Sequence, residues 1–133
     1  MRVVVDTNVL VSGVFFSGIP TRILEAWRDR RIVIVASLET LEEYRRVGER
    51  LGGQFEGVSL EPFFTLLATN ALIVQPRRLP QAVVSGPADD KFFACALAAD
   101  CRVIISGDKR VLAASGYEGV EVLEPRSFAE RHL

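Results

Sequence analysis

The apolar residues of this chain come in short runs that stop abruptly, and the residues that stop them are acids, amides and hydroxyls. Arg2 leads into Val3-Val4-Val5, and Asp6, Thr7 and Asn8 follow without a gap, which reads as a buried strand ending on a carboxylate. A helix is expected over residues 21–30, with Pro20 suited to its start, and a second strand over 32–36. Ser37 then caps a helix whose apolar face runs through Leu38, Leu41, Tyr44 and Val47 and which ends near Gly52-Gly53. Residues 60–70 form another helical stretch, 72–74 a short strand, and 75–85, with Pro76 and Pro80, a connection. Beyond Gly86-Pro87 a helix extends to about Ala99, followed by a strand over 103–106, a short helix over 109–114 and a last strand over 120–123.

Strands alternating with helices predict an α/β fold of three α/β/α layers around a central, mostly parallel sheet of about five strands, because right-handed crossovers put helices on both faces. No repeat, linker or low-complexity tract interrupts the pattern, so one domain over residues 1–133 is expected. This topology gathers the polar ends. Asp6 follows the first strand and Asp108 follows the strand over 103–106. Asp89 and Asp90 fall in the first turn after Pro87, and Glu39, Glu42 and Glu43 ride the helix leaving the second strand. All belong to the carboxyl edge of the sheet, where open α/β folds form their crevices.

At 49% apolar and 25% charged residues over 133 positions, the composition is that of a globular protein and excludes a disordered or collagen-like chain. Asp6 and Asn8 break the apolar run after Arg2, no run nears the roughly 18 apolar residues of a membrane span, and a cytoplasmic protein is expected. Cys95 and Cys101 match no metal-ligand spacing and are expected to be reduced and structural. A net charge of −1 does not announce a nucleic-acid binder. Local basic groups at Arg28, Arg30 and Arg31, at Arg45, Arg46 and Arg50, at Arg77 and Arg78, and at Lys109 and Arg110 could still serve a nucleic acid, but solvated helix faces or loops are the plainer reading.

The acids demand more explanation. A carboxylate at the end of a buried strand loses hydration unless it is paired, hydrogen-bonded or bound to metal. Two carboxylates about 4 Å apart repel by roughly 4 kcal/mol at an effective dielectric near 20, and further acids make the cluster untenable while all are ionised. A divalent cation relieves this, and oxygen ligands favour Mg²⁺ or Mn²⁺, which activate water and stabilise charge on a phosphodiester. The single histidine, His132, is next to the C-terminus, which argues against a Ser-His-Asp triad or histidine acid/base chemistry.

Val3-Val4-Val5-Asp6-Thr7-Asn8-Val9-Leu10, Leu41-Glu42-Glu43-Tyr44, Pro87-Ala88-Asp89-Asp90-Lys91-Phe92 and Ile105-Ser106-Gly107-Asp108-Lys109 occur in the order and rough spacing of PIN domains. The chain resembles that family over nearly its whole length. Val122-Leu123-Glu124-Pro125-Arg126-Ser127-Phe128 further resembles the closing strand and Pro-Arg-x-Phe signature of a branch that includes toxins of toxin–antitoxin systems. The resemblance implies a Mg²⁺- or Mn²⁺-dependent ribonuclease acting on RNA, often the toxin half of such a pair, commonly a homodimer neutralised by a small antitoxin. It implies a catalytic, metal-holding quartet of Asp6, Glu43, Asp89 and Asp108. Asp6 and Asp89 would bind metal directly, Asp108 directly or through water, and Glu43 would orient metal or attacking water. Thr7, Asn8 and Ser106 would support them by hydrogen bonding. Glu43 rather than Glu42 follows from its place before Tyr44 in the family pattern, since helical periodicity leaves both open. One departure is Gly86, where many relatives carry a further acid.

Each acid also has a plainer role open to it. Asp6 could cap backbone N–H groups, Asp89 and Asp90 could favour a helix dipole, Asp108 could be a turn or N-cap, and Glu43 could ride a solvated face. Two other functions bear on the same residues. Haloacid-dehalogenase-like phosphatases need Asp-x-Asp, and Asn8 stands in the second position. A PIN fold could also serve as a silent module contacting RNA or an antitoxin. Val14-Phe15-Phe16 could then offer an apolar partner surface, although core packing accounts for it too.

Overall fold

The computed structural model describes residues 1–54, 60–84 and 89–133. Five strands, β1 (Arg2–Val5), β2 (Val33–Ala36), β3 (Leu72–Ile73), β4 (Val103–Ile105) and β5 (Glu121–Leu123), form one sheet in the order β3-β2-β1-β4-β5. Every pairing is parallel. Among the described residues, seven α-helices accompany it: α1 (Thr7–Phe15), α2 (Ile19–Arg28), α3 (Leu38–Gly52), α4 (Glu61–Asn70), α5 (Asp90–Ala98), α6 (Lys109–Ala113) and α7 (Pro125–His132). The result is a three-layer α/β/α fold.

The strand order explains where a site can form. From β1 the chain steps outward to β2 and β3, then crosses back to β4 and β5. The direction of winding therefore reverses between β1 and β4, and the crevice opens outside their carboxyl ends. Val4 lies beside Ile104 and Val5 beside Ile105, which sets Asp6 and Ser106 next to each other one residue further on. Val3, Val4, Val5, Ile34, Val35, Ile104 and Ile105 are fully buried, as central strands covered on both faces must be. Helix α5 packs across β1, β2 and β4 and begins at the carboxyl edge.

Three local expectations change. A helix, α1, starts directly after β1, where a connection was expected, because Asp6 is at once the end of the strand and the N-cap of the helix. Within it Val14 and Phe15 are half-buried, and Phe16, at its C-cap, is exposed. The apolar face of α3 does not include Leu38, which is 77% exposed; the buried stripe is Thr40, Tyr44 and Gly48, at the i, i+4, i+8 spacing of one helix face. Beyond β5, Pro125 opens helix α7, which packs on β5 and α2. Gly86 and Pro87 lie outside the described residues. Both cysteines are free and buried, and burial pushes the Cys95 thiol up to about 12, so it stays protonated. Among the described residues no single helix is long and apolar enough to cross a membrane, and α1 and α2 turn by 89° at the break between them.

Candidate active site

Asp6 is 5% exposed and stands at the switch point. Its N–H donates to the carbonyl of Ile105 at 3.0 Å, continuing the β1–β4 pairing onto the acid itself. One carboxylate oxygen accepts from the N–H groups of Asn8 (2.9 Å) and Val9 (3.3 Å), the first turn of α1, and the other accepts from the Ser106 hydroxyl. Burial pushes the Asp6 carboxyl above its ordinary 3.8; hydrogen bonds from Ser106, Val9 and Asn8 pull it down, and the charge of Asp89 adds to burial. The capping role is real, and it uses one oxygen. Asn8 contributes through its backbone, while its side chain belongs to an exposed position. Ser106, fully buried, also accepts from the N–H of Asp108 at 3.0 Å, so one hydroxyl links both acids.

Glu43 reaches the same edge from α3. Ser37 and Thr40 form a reciprocal capping box at its first turn, with Ser37 N–H on Thr40 Oγ1 at 2.9 Å and Thr40 N–H on Ser37 Oγ at 3.2 Å. The buried Tyr44 hydroxyl donates to the carbonyl of Val5, tying α3 to the last residue of β1. The preceding residue, Glu43, then meets Thr7, whose hydroxyl donates to one carboxylate oxygen, and Lys91, whose ammonium sits 2.5 Å from the other. Burial works against the charge of Glu43, but the hydrogen bonds from Lys91 and Thr7 and the charges of Lys91 and Arg46 outweigh it and hold the carboxyl below its ordinary 4.5. Glu42 is exposed.

Asp89 and Asp90 divide their work. Asp90 accepts from the N–H groups of Val83 (3.2 Å) and Val84 (2.7 Å), which fixes the end of the preceding connection. Asp89 is pushed above its ordinary 3.8 by burial and then by the charge of Asp108; Arg110 and Lys91 pull it down and Glu43 raises it. Asp108 caps α6 through the N–H of Arg110 at 2.8 Å. Hydrogen bonds from the side chain and backbone of Arg110 hold it below its ordinary 3.8. The Arg110 guanidinium bridges the two acids, 3.5 Å from Asp89 and 3.2 Å from Asp108.

Sequence reasoning did not find Lys91 or Arg110 as partners of the acids. Both stand beside the acids in sequence, Lys91 after Asp89-Asp90 and Arg110 two residues after Asp108, but a cation next to an acid reads first as a solvated pair.

The chemistry of these donors fits a hard divalent cation: they are all carboxylate oxygens, and Asp89 feels Asp108 and Glu43 as like charges and is felt as one by Asp6. Among the described residues, no three acids are gathered as a closed ligand group. Lys91 and Arg110 instead carry the balancing charge.

The PIN domain family model matches residues 2–110, a span that includes Asp6, Glu43, Asp89 and Asp108 and stops before β5. No curated protein matches the chain. Matched over most of its length and built on the expected α/β/α sheet, the chain belongs to the PIN domain family.

Proposed function

We propose that this protein is a Mg²⁺- or Mn²⁺-dependent endoribonuclease, the toxin component of a toxin–antitoxin pair. PIN domains are generally nucleases, and this chain has their fold. The observation that carries the reading is Asp6: a carboxylate 5% exposed, set at the switch point and close enough to Asp89 for their charges to act on each other. A carboxylate buried at a sheet switch point, raised by burial and further by a neighbouring acid, is the kind of perturbed group that gathers at functional sites.

Asp6 and Asp89 would hold the cation directly, Asp108 directly or through water. When bound, the cation supplies a Lewis acid that activates water and stabilises charge on the phosphodiester. Ser106 and the first-turn N–H groups of α1 keep the Asp6 carboxylate oriented. Lys91 and Thr7 keep Glu43 ionised and aimed, so that it would orient the metal or the attacking water. Arg110, with a side chain 57% exposed, is free to leave the acids for an incoming phosphate.

The purified protein should cut single-stranded RNA with Mg²⁺ or Mn²⁺ and stop when EDTA is added. Asp6→Asn should lose more than the roughly 10–100-fold that removal of a supporting residue costs, with its circular dichroism unchanged. Cleavage by Asp6→Asn at the wild-type rate would sink the assignment. The Arg110 bridge across Asp89 and Asp108 favours a second reading, a silent PIN-fold module contacting RNA or an antitoxin. Wild-type protein that binds a partner but never cuts would decide for it. A homodimer is part of the toxin reading and is checked by sedimentation.

A further inference from the structure

A groove of about 550 Å³ runs beside the acidic edge, between helix α5 and the connection that follows β3. The connection is strapped to the helix at both ends. The N–H of Arg77 donates to the carbonyl of Ala94 at 3.2 Å, and Asp90 holds the N–H groups of Val83 and Val84. Ala94 and Asp90 are one helical turn apart, about 6 Å along the axis. The strap therefore runs down α5 toward its N-terminus, where Asp89 stands.

The groove's charge is arranged along that path. Arg77 and Arg78 line it, and Lys91 lines it too while its ammonium reaches Glu43. Arg77 has a partner, Glu118, 3.5 Å away, in a pair about half exposed and therefore weak. Arg78 is exposed and held by no carboxylate among the described residues. Two acids share the lining, Glu39 and Asp90, and the Asp90 carboxylate is already engaged by the strap. Gln75 and Gln81 add exposed amides that donate and accept, the pattern a 2′-hydroxyl answers. No aromatic ring is among the described lining residues, so the groove offers no platform for stacking bases. A cluster of carboxylates repels a polyanion, and cations beside it must hold the strand in place.

We propose that the groove between α5 and its strap, with the exposed Arg77 and Arg78 as its cations, tracks the sugar–phosphate backbone of single-stranded RNA toward the acidic edge. The inference rests on the ribonuclease reading and deepens it. Because the contacts are to phosphate and ribose, the groove holds different sequences equally well, and sequence choice is made elsewhere.

The test measures binding of short single-stranded RNAs of different sequence by fluorescence anisotropy in EDTA, over a range of salt, alongside cleavage kinetics in Mg²⁺. Arg78→Ala should weaken binding about three- to tenfold, to a similar extent for every sequence. The double variant Arg77→Ala/Arg78→Ala should flatten the slope of log K against log salt by about 1.4, two phosphate contacts at roughly 0.7 each. KM should rise while kcat stays within about twofold, and Arg78→Lys should restore most of the loss. Arg28→Ala/Arg31→Ala, near the end of α2 at the opposite edge of the sheet, is the control. A loss no larger than the control's, a loss confined to one sequence, or equal affinity for DNA of the same sequence would overturn the groove. If the wild type cuts RNA and Arg78→Ala cuts it with unchanged KM, the groove fails and the nuclease stands. If the wild type neither binds nor cuts, both fail.

Discussion

Ser106 does two things with one oxygen: it donates to Asp6 and accepts from the N–H of Asp108, from a fully buried position. Ser106→Ala should cost about 1–3 kcal/mol, because two polar groups lose their partner together, and should lower activity roughly 10–100-fold. Urea unfolding and single-turnover cleavage check the two figures. Asp6 sets a pH dependence in the metal-free protein. Its folded-state pKa lies above 3.8, so the native protein keeps a proton where the unfolded chain has released it. That contribution is fully present below about 3.8 and is lost as pH rises through the raised value. Wild type should therefore lose stability relative to Asp6→Asn over that window, read as the difference in urea midpoints. Glu43 works the other way, its contribution being present above 4.5 and lost as pH falls through its lowered value. Asp6, Asp89 and Asp108 were legible as candidates because each closes an apolar run or opens a helix, whereas Glu43, inside α3, followed only from the family resemblance. Their balancing cations were not, since Lys91 meets Glu43 from 48 residues away and nothing local distinguishes it from a surface lysine.

The helices were legible where an ordinary start signal preceded them, as Ser37 does for α3 and Pro20 for α2. Helix α1 was hidden because no loop separates it from β1, and its valines and phenylalanines suit a strand as well as a helix. Gly13 lies inside α1, and its place against α2 shows its use. A Cβ on Gly13 would lie 2.7 Å from Leu24 Cδ1 and 2.9 Å from the Pro20 carbonyl oxygen, which is backbone and cannot rotate aside. The hydroxyl of Thr21 donates to the Gly13 carbonyl at 3.1 Å, so α1 and α2 meet without a spacer. Gly13→Ala should gain about 1 kcal/mol in helix propensity and lose about 1–3 kcal/mol to overpacking, a net destabilisation. A higher melting temperature for Gly13→Ala would show that the two helices have room to part. Helix α7 was hidden differently: Pro125-Arg126-Ser127-Phe128 was read only as a signature following the last strand, whereas Pro125 stands at the first position of a helix.

At the scale of the molecule, alternation of apolar runs gave the parallel sheet, but not the order of its strands, which depends on pairings no local pattern encodes. That order seats the first strand at the centre of the sheet, beside one from far along the chain. β1, the earliest strand, completes its hydrogen bonding only against β4, and Ser106 is 100 residues downstream of the carboxylate it holds. During synthesis at about 5–20 residues per second, roughly 5–20 s pass between the two reaching the end of the tunnel. Throughout that interval the hydroxyl that holds Asp6, and the carboxylate of Asp108, are not yet available to the emerged chain. If the proposed ribonuclease reading holds, a chain assembled this way would not carry its complete acidic edge until β4 and Asp108 arrive, and its own message would be spared in the meantime.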